Sequence, residues 1–84
     1  MGVPALVVEI ISESTRGKDF IKKLDLYMST GVREYWIINP LNREVSVYLF
    51  EENNINKNAT YKGNETAASY CFVGLEVSLE MIFA

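Results

Sequence analysis

The segment Ala5 to Ile11 is an apolar, largely β-branched run, bounded by Pro4 and by the polar Ser12-Glu13-Ser14-Thr15, and it carries a glutamate, Glu9, in its middle. Such a run reads as a strand buried on both faces, the central strand of a sheet. An ionised carboxylate buried there without a cation or several donors would cost more than the whole domain can offset, since domains are stable by only about 5 to 15 kcal/mol. Glu9 is therefore expected to be protonated, paired or holding a metal. The pleat sets Ala5, Val7, Glu9 and Ile11 on one face and Leu6, Val8 and Ile10 on the other, so a group that cooperates with Glu9 must approach the first face.

The next element can deliver such a group. From about Lys18 to Thr30, apolar residues at Phe20, Ile21, Leu24, Tyr27 and Met28 follow helical spacing, and Gly31 supplies the stop. With about 100° per residue, Lys23 falls on the flank of that stripe, about 100° from its centre, where a long side chain can reach along the core boundary. The alternative stays open at this point: Lys23 as an ordinary solvated lysine, and Glu9 against a backbone donor at the end of its strand.

Glu34 to Ile38 and Glu44 to Phe50 read as two strands that pair antiparallel across Asn39-Pro40-Leu41-Asn42-Arg43, a turn of hairpin length and composition. Val45, Val47 and Leu49 alternate with Ser46, Tyr48 and Phe50, so both faces of the second strand find cover. The polar stretch Glu51 to Asn58 reads as a loop, and Thr60 to Lys62 as a short return strand. Leu75, Val77 and Leu79 alternate in a last extended segment before Met81-Ile82-Phe83 docks the terminus.

Eighty-four residues leave room for one domain, 1–84, with one small core, so a missing neighbour matters and dimerisation is open to it. The chain has no histidine, which excludes a Ser/His/Asp triad, a Cys/His pair and a histidine-bearing zinc site. Cys71 is the only cysteine, which excludes an internal disulfide and fits a reducing, cytoplasmic location and a small buried hydrophobe's role. No apolar run approaches the ~18 to 20 residues of a membrane span. The net charge is -3, yet Arg16, Lys18, Lys22 and Lys23 stand against Asp19 alone between positions 16 and 23. That cluster reads either as a solvated helix face or as a phosphate-facing patch.

Taken in order, Pro4-Ala5-Leu6-Val7-Val8-Glu9-Ile10-Ile11-Ser12-Glu13-Ser14-Thr15, Lys23-Leu24-Asp25-Leu26-Tyr27 and Gly31-Val32-Arg33-Glu34-Tyr35-Trp36-Ile37-Ile38-Asn39-Pro40 resemble the Uma-two family of putative restriction endonucleases, within the PD-(D/E)XK nuclease superfamily. The similarity continues through Glu44-Val45-Ser46-Val47-Tyr48 and Phe72-Val73-Gly74-Leu75-Glu76-Val77-Ser78-Leu79, so it covers nearly the whole chain.

The resemblance implies an α/β (α+β) fold with a partial restriction-endonuclease-like core: a mixed, mostly antiparallel sheet with one main helix after the first strand. It implies Mg²⁺-dependent cleavage of a DNA phosphodiester, with Glu9 as metal ligand and catalytic residue and Lys23 as the catalytic lysine; on the phosphate-facing reading of the cationic cluster, Arg16, Lys18 and Lys22 are expected toward DNA. The superfamily's E-x-K pattern is broken by Ile11, a departure shared by relatives in which the helix lysine takes the role. Relatives read Pro-Asp where Ala5 stands, and another aspartate lies on a strand upstream. The chain thus resembles the C-terminal portion of the family domain. The expectation is weak or absent Mg²⁺ binding, since one carboxylate leaves a strongly hydrated ion almost fully aquated. It extends to turnover that is weak or absent in this chain alone, with a non-catalytic oligomerising or binding module as the alternative. A homodimer through the Ala5 to Ile11 region is expected to cover the apolar strand, and Val7→Lys to break it.

Overall fold

The computed structural model describes residues 2–11 and 18–83, and of residues 18–20 the backbone. The elements run β1 (Leu6–Ile10), α1 (Lys18–Thr30), β2 (Glu34–Asn39), β3 (Glu44–Glu51), β4 (Asn54–Lys62), β5 (Thr66–Ala68), β6 (Glu76–Ser78) and α2 (Leu79–Ile82). A four-stranded sheet in the order β1-β2-β3-β4 is parallel between β1 and β2 and antiparallel elsewhere, while β5 and β6 form a separate antiparallel pair. The α+β class and the mixed, mostly antiparallel sheet expected from the sequence are both present.

Helix α1 is the crossover that a parallel β1–β2 pair requires. It ends where the sequence places the stop: Gly31 takes φ 96°, and the Val32 N–H donates to the Tyr27 carbonyl at 3.2 Å. Leu24, Tyr27 and Met28 of α1, with Val7 and Ile11 from the β1 region, pack on Tyr35, Ile37 and Phe50, the helix-side core. Ile21, expected in the same stripe, is 68% exposed, because the stripe narrows to what a five-residue edge strand and β2 can cover. The opposite face of the sheet carries Trp36, Val45 and Val47, closed by Ala67, Val77, Leu79, Ile82 and Phe83 from the C-terminal elements.

Three expectations are corrected. The first strand is not central and is not buried on both faces: β1 forms the edge, and Val8 and Ile10 are 50% and 68% exposed on the face away from α1. Its apolar composition reflects cover that the described residues do not supply. Glu51 to Asn58 is not a loop. The chain reverses at Glu52 and Asn53, with φ of 52° and 62°, and returns as the nine-residue strand β4. Two successive left-handed residues twist as the flanking strands do, so the turn sets the register. Asn and Lys disfavour strands on their own, but β4 lies at the far edge with its side chains mostly in solvent, and ladder pairing with β3 overrides propensity. Finally, Leu79 does not extend the last strand; it opens α2 and is fully buried there, whereas Met81, expected to dock, is 78% exposed.

Candidate functional site: an acid on the sheet edge under a helix lysine

Glu9 faces α1, as the pleat dictates. Its Oε2 accepts from Lys23 Nζ at 3.2 Å and its Oε1 accepts from Tyr27 Oη at 2.8 Å. The two donors stand one helical turn apart on the same flank of α1, the i, i+4 relation that lets both lean over one point of the sheet. Of the three states open to Glu9 from the sequence, the paired one is found. The pair is partly solvated, with Lys23 42% and Glu9 26% exposed in their side chains, so it contributes about 1 kcal/mol or less to stability. Glu9 sits at the margin of the helix-side core and needs no full compensation for burial.

Tyr27 is the member that the sequence reading passed over as a stripe residue. Its signal was present: a phenol on the apolar face, four residues beyond Lys23, has an oxygen that calls for a partner. The hydrogen bond to Glu9 first, then burial, then the carboxylate's charge raise the Tyr27 hydroxyl above its ordinary range, so it remains a donor at neutral pH. Its ring lies 5.0 Å from that of Tyr35, tilted by 53°, and Tyr35 in turn stacks on Tyr48 at 6.4 Å. Burial, and secondarily Glu9, push the Tyr35 hydroxyl far up. An aromatic wall thus stands behind Glu9 and holds the Tyr27 hydroxyl in place.

A second carboxylate, Glu34, is fully buried at the start of β2 and belongs to the other face. Its Oε1 accepts from Ser69 Oγ at 2.9 Å and from the Tyr70 and Cys71 N–H groups at 3.0 and 2.8 Å, while Oε2 accepts from Trp36 Nε1. Burial alone would push this carboxyl up, but the bonds from Trp36, Cys71 and Ser69 outweigh it and hold it below the ordinary glutamate range. Glu34 therefore ties the segment 69–71 to the sheet, a structural role; all four donors point inward and no face is left for a substrate. The sequence signal was an acid opening an apolar strand with Trp36 two residues on, on the same side. Cys71 supplies its N–H to this clamp, and burial first, then Glu34, raise its thiol. It is an inert, half-buried thiol, close to the role expected.

Lys22 is exposed on α1 beside Lys23, and Lys18 opens the helix. Arg16, also expected toward DNA, lies outside the described residues. Ala5 is exposed, with a methyl where the resemblance implies an aspartate.

The donor set does not fit a divalent cation. Both Glu9 oxygens are already engaged by Lys23 and Tyr27, and among the described residues no three His, Cys, Asp or Glu side chains come together. Mg²⁺ prefers several oxygen ligands in octahedral array, and here one carboxylate would have to surrender a lysine to bind it.

A sheet-borne acid is met by a lysine from the crossover helix on a mixed sheet of order β1-β2-β3-β4, and the fold has a solved counterpart. The chain superposes on the crystal structure of a putative nuclease belonging to DUF820 from Anabaena variabilis ATCC 29413, with TM-score 0.68 and 20% sequence identity. The match covers 94% of this chain and 43% of that one, so the chain spans less than half the length of the protein it resembles, and at this identity the likeness is one of fold. Residues 1–80 match the Uma2 family, described as "Putative restriction endonuclease", and the chain belongs to that family. A search of curated proteins gives no match. No helix among the described residues is long and apolar enough to cross a membrane.

Proposed function

We propose that the chain engages the DNA phosphodiester backbone at the Glu9–Lys23 side of its sheet, and that hydrolysis by this chain alone is weak or absent. The observation that carries the reading is the carboxylate of Glu9 clamped by Lys23 at 3.2 Å and Tyr27 at 2.8 Å. An acid and a lysine are what phosphodiester hydrolysis asks of a protein: Lys23 for the charge that grows on the transferring phosphoryl group, Glu9 to orient a water. A phosphate that approaches Lys23 competes with Glu9 for its ammonium, so the resting pair opens to bind. Lys22 adds a second exposed cation on the same helix, and Lys18 and Arg16 are proposed to join it from their place in the sequence. Mg²⁺, the family's expected cofactor, needs acids beyond Glu9 among the described residues, so turnover by this chain is low. A cytoplasmic location belongs to the same proposal.

The non-catalytic alternative, an oligomerising or binding module, is favoured by one observation of its own: among the described residues β1 is an edge strand with exposed apolar side chains.

Anisotropy of a labelled duplex at several salt concentrations tests the proposal. Binding that weakens steeply with salt is expected, and Lys22→Ala should lower the logarithmic salt slope by about one while weakening all sequences alike. Absence of binding at low salt would contradict it. In the same samples a supercoiled plasmid with Mn²⁺ should be nicked no faster by the wild type than by Glu9→Gln; strong cleavage that depends on Glu9 would show that the site is complete.

A further inference from the structure

Glu9 makes to Lys23 the contact that a phosphate would make. The ammonium donates to Oε2 at 3.2 Å, and Tyr27 Oη donates to Oε1 at 2.8 Å. An ammonium is a compact point charge with three donors and no geometric demand, so it takes a carboxylate oxygen or a phosphate oxygen alike. The carboxylate has the advantage of place: it is carried by β1, beside Ile37 of β2, whereas a phosphate comes from solution. Water reaches both partners, with 42% of the Lys23 side chain and 26% of the Glu9 side chain exposed, so one anion can replace the other without unfolding. A pair this wet adds little to stability, which leaves its effect on ligands as the larger consequence.

Tyr27 makes this internal anion harder to displace. An exposed ion pair between two long side chains is loosened by their rotamer freedom. Here the far oxygen of Glu9 is bonded to a phenol whose ring lies 5.0 Å from that of the buried Tyr35, so the carboxylate gives up a second bond if it swings away from Lys23. Charge adds to the effect. While the pair is closed, Glu9 and Lys23 sum to zero, and Lys22 is the neighbouring cation on α1 that remains exposed. When a phosphate takes Lys23, Glu9 stays pinned by Tyr27 as a second anion beside it, and the two repel.

We propose that the contact is autoinhibitory, on the reading that the Glu9–Lys23 side meets DNA: Glu9 occupies Lys23 in place of a backbone phosphate, Tyr27 holds it there, and the closed pair keeps affinity for a duplex low. The acid thereby has a role that asks for no metal and no turnover. An acid that reached DNA through a shared water would weaken binding when removed, whereas an internal competitor strengthens it. General repulsion between Glu9 and DNA would strengthen it too, but with no need of Lys23 and no part for Tyr27. A lock on Lys23 differs on both counts. Glu9→Gln releases one more ammonium for a phosphate, and Tyr27→Phe releases the hold on the acid at unchanged formal charge.

Anisotropy of a labelled duplex against salt, with circular dichroism to check folding, reads both effects. Glu9→Gln, which keeps the shape and can still accept from Tyr27, should bind about fivefold tighter than wild type at about 0.1 M salt and steepen the logarithmic salt slope by about 0.9, one added phosphate contact. With Lys23→Gln already in place, Glu9→Gln should leave the slope unchanged. Tyr27→Phe, which keeps the ring against Tyr35, should tighten binding about twofold to threefold, and it decides alone should Glu9→Gln misfold. A wild type that binds DNA, with Glu9→Gln no tighter and at the same slope, would overturn the lock and leave the DNA-facing reading standing. No binding by either protein at low salt would remove both. Equal tightening and steepening in the Lys23→Gln background would overturn Lys23 as the group that Glu9 blocks, and a Tyr27→Phe variant that binds like wild type would overturn Tyr27 as the hold.

Discussion

Replacing Glu34 with alanine should cost the fold about 3 to 5 kcal/mol, a large part of the roughly 5 to 15 kcal/mol that holds a domain together. The substitution removes one carboxylate and strands four donors around it: Trp36 Nε1, Ser69 Oγ and the N–H groups of Tyr70 and Cys71. A buried donor without a partner costs about 1 to 3 kcal/mol, and the terms do not simply add because the segment 69–71 can relax toward water. Glu34→Gln keeps the shape, presents one acceptor oxygen in place of two and loses the charge-assisted bonds, so it should fall between wild type and alanine. Urea denaturation followed by the fluorescence of Trp36, the chain's only tryptophan, measures both. A loss below about 1 kcal/mol for alanine would show that solvent enters and replaces the clamp.

The same clamp predicts how stability depends on acid. In the folded chain the Glu34 carboxyl is held below its ordinary value, because the bonds from Trp36, Cys71 and Ser69 outweigh the burial that opposes them. In the unfolded chain it returns to the ordinary glutamate value of about 4.3. A depressed folded value means that the unfolded state takes up the proton first. The contribution is then whole above about pH 4.3, shrinks as pH falls below it, and is gone once the pH passes the depressed folded value. Wild type should therefore lose stability more steeply than Glu34→Gln as the pH falls below about 4.3, because the variant has nothing to protonate at that position. Urea midpoints taken along that range for both proteins isolate the effect from the other carboxylates. Parallel acid limbs would mean that Glu34 is not the group responsible.

Much of the architecture was legible in the sequence where one period dominated. Helix α1 was bounded at Lys18 and Thr30 by its stripe and by Gly31, and the β2–β3 hairpin by its turn residues. What escaped was set by partners that no local pattern names. Strand β4 is polar because it lies at a solvated edge, and only pairing with β3 makes it a strand. Strand β5 is three residues long, too short to show alternation. The apolar character of β1 was read as two-sided burial, yet the described residues leave one side open. At the site, the acid and the lysine were legible from the pleat and from the helical angle. Tyr27 was absorbed into the apolar stripe, because a phenol that packs with its ring and bonds with its oxygen looks, in a hydrophobic pattern, like any other core residue. Glu34 was passed over for a different reason: its four donors come from Trp36 and from positions 69–71, and sequence separation hid the second group.

Among the described residues Glu9, Lys23 and Tyr27 form a closed triad, and no divalent-cation site surrounds it. Titration of the chain with Mn²⁺, followed by water-proton relaxation, tests it most directly. The predicted result is no stoichiometric binding, with wild type and Glu9→Gln giving the same trace, because Lys23 and Tyr27 already take both oxygens of Glu9. A saturable site for one Mn²⁺ per chain that is lost in Glu9→Gln would contradict the account.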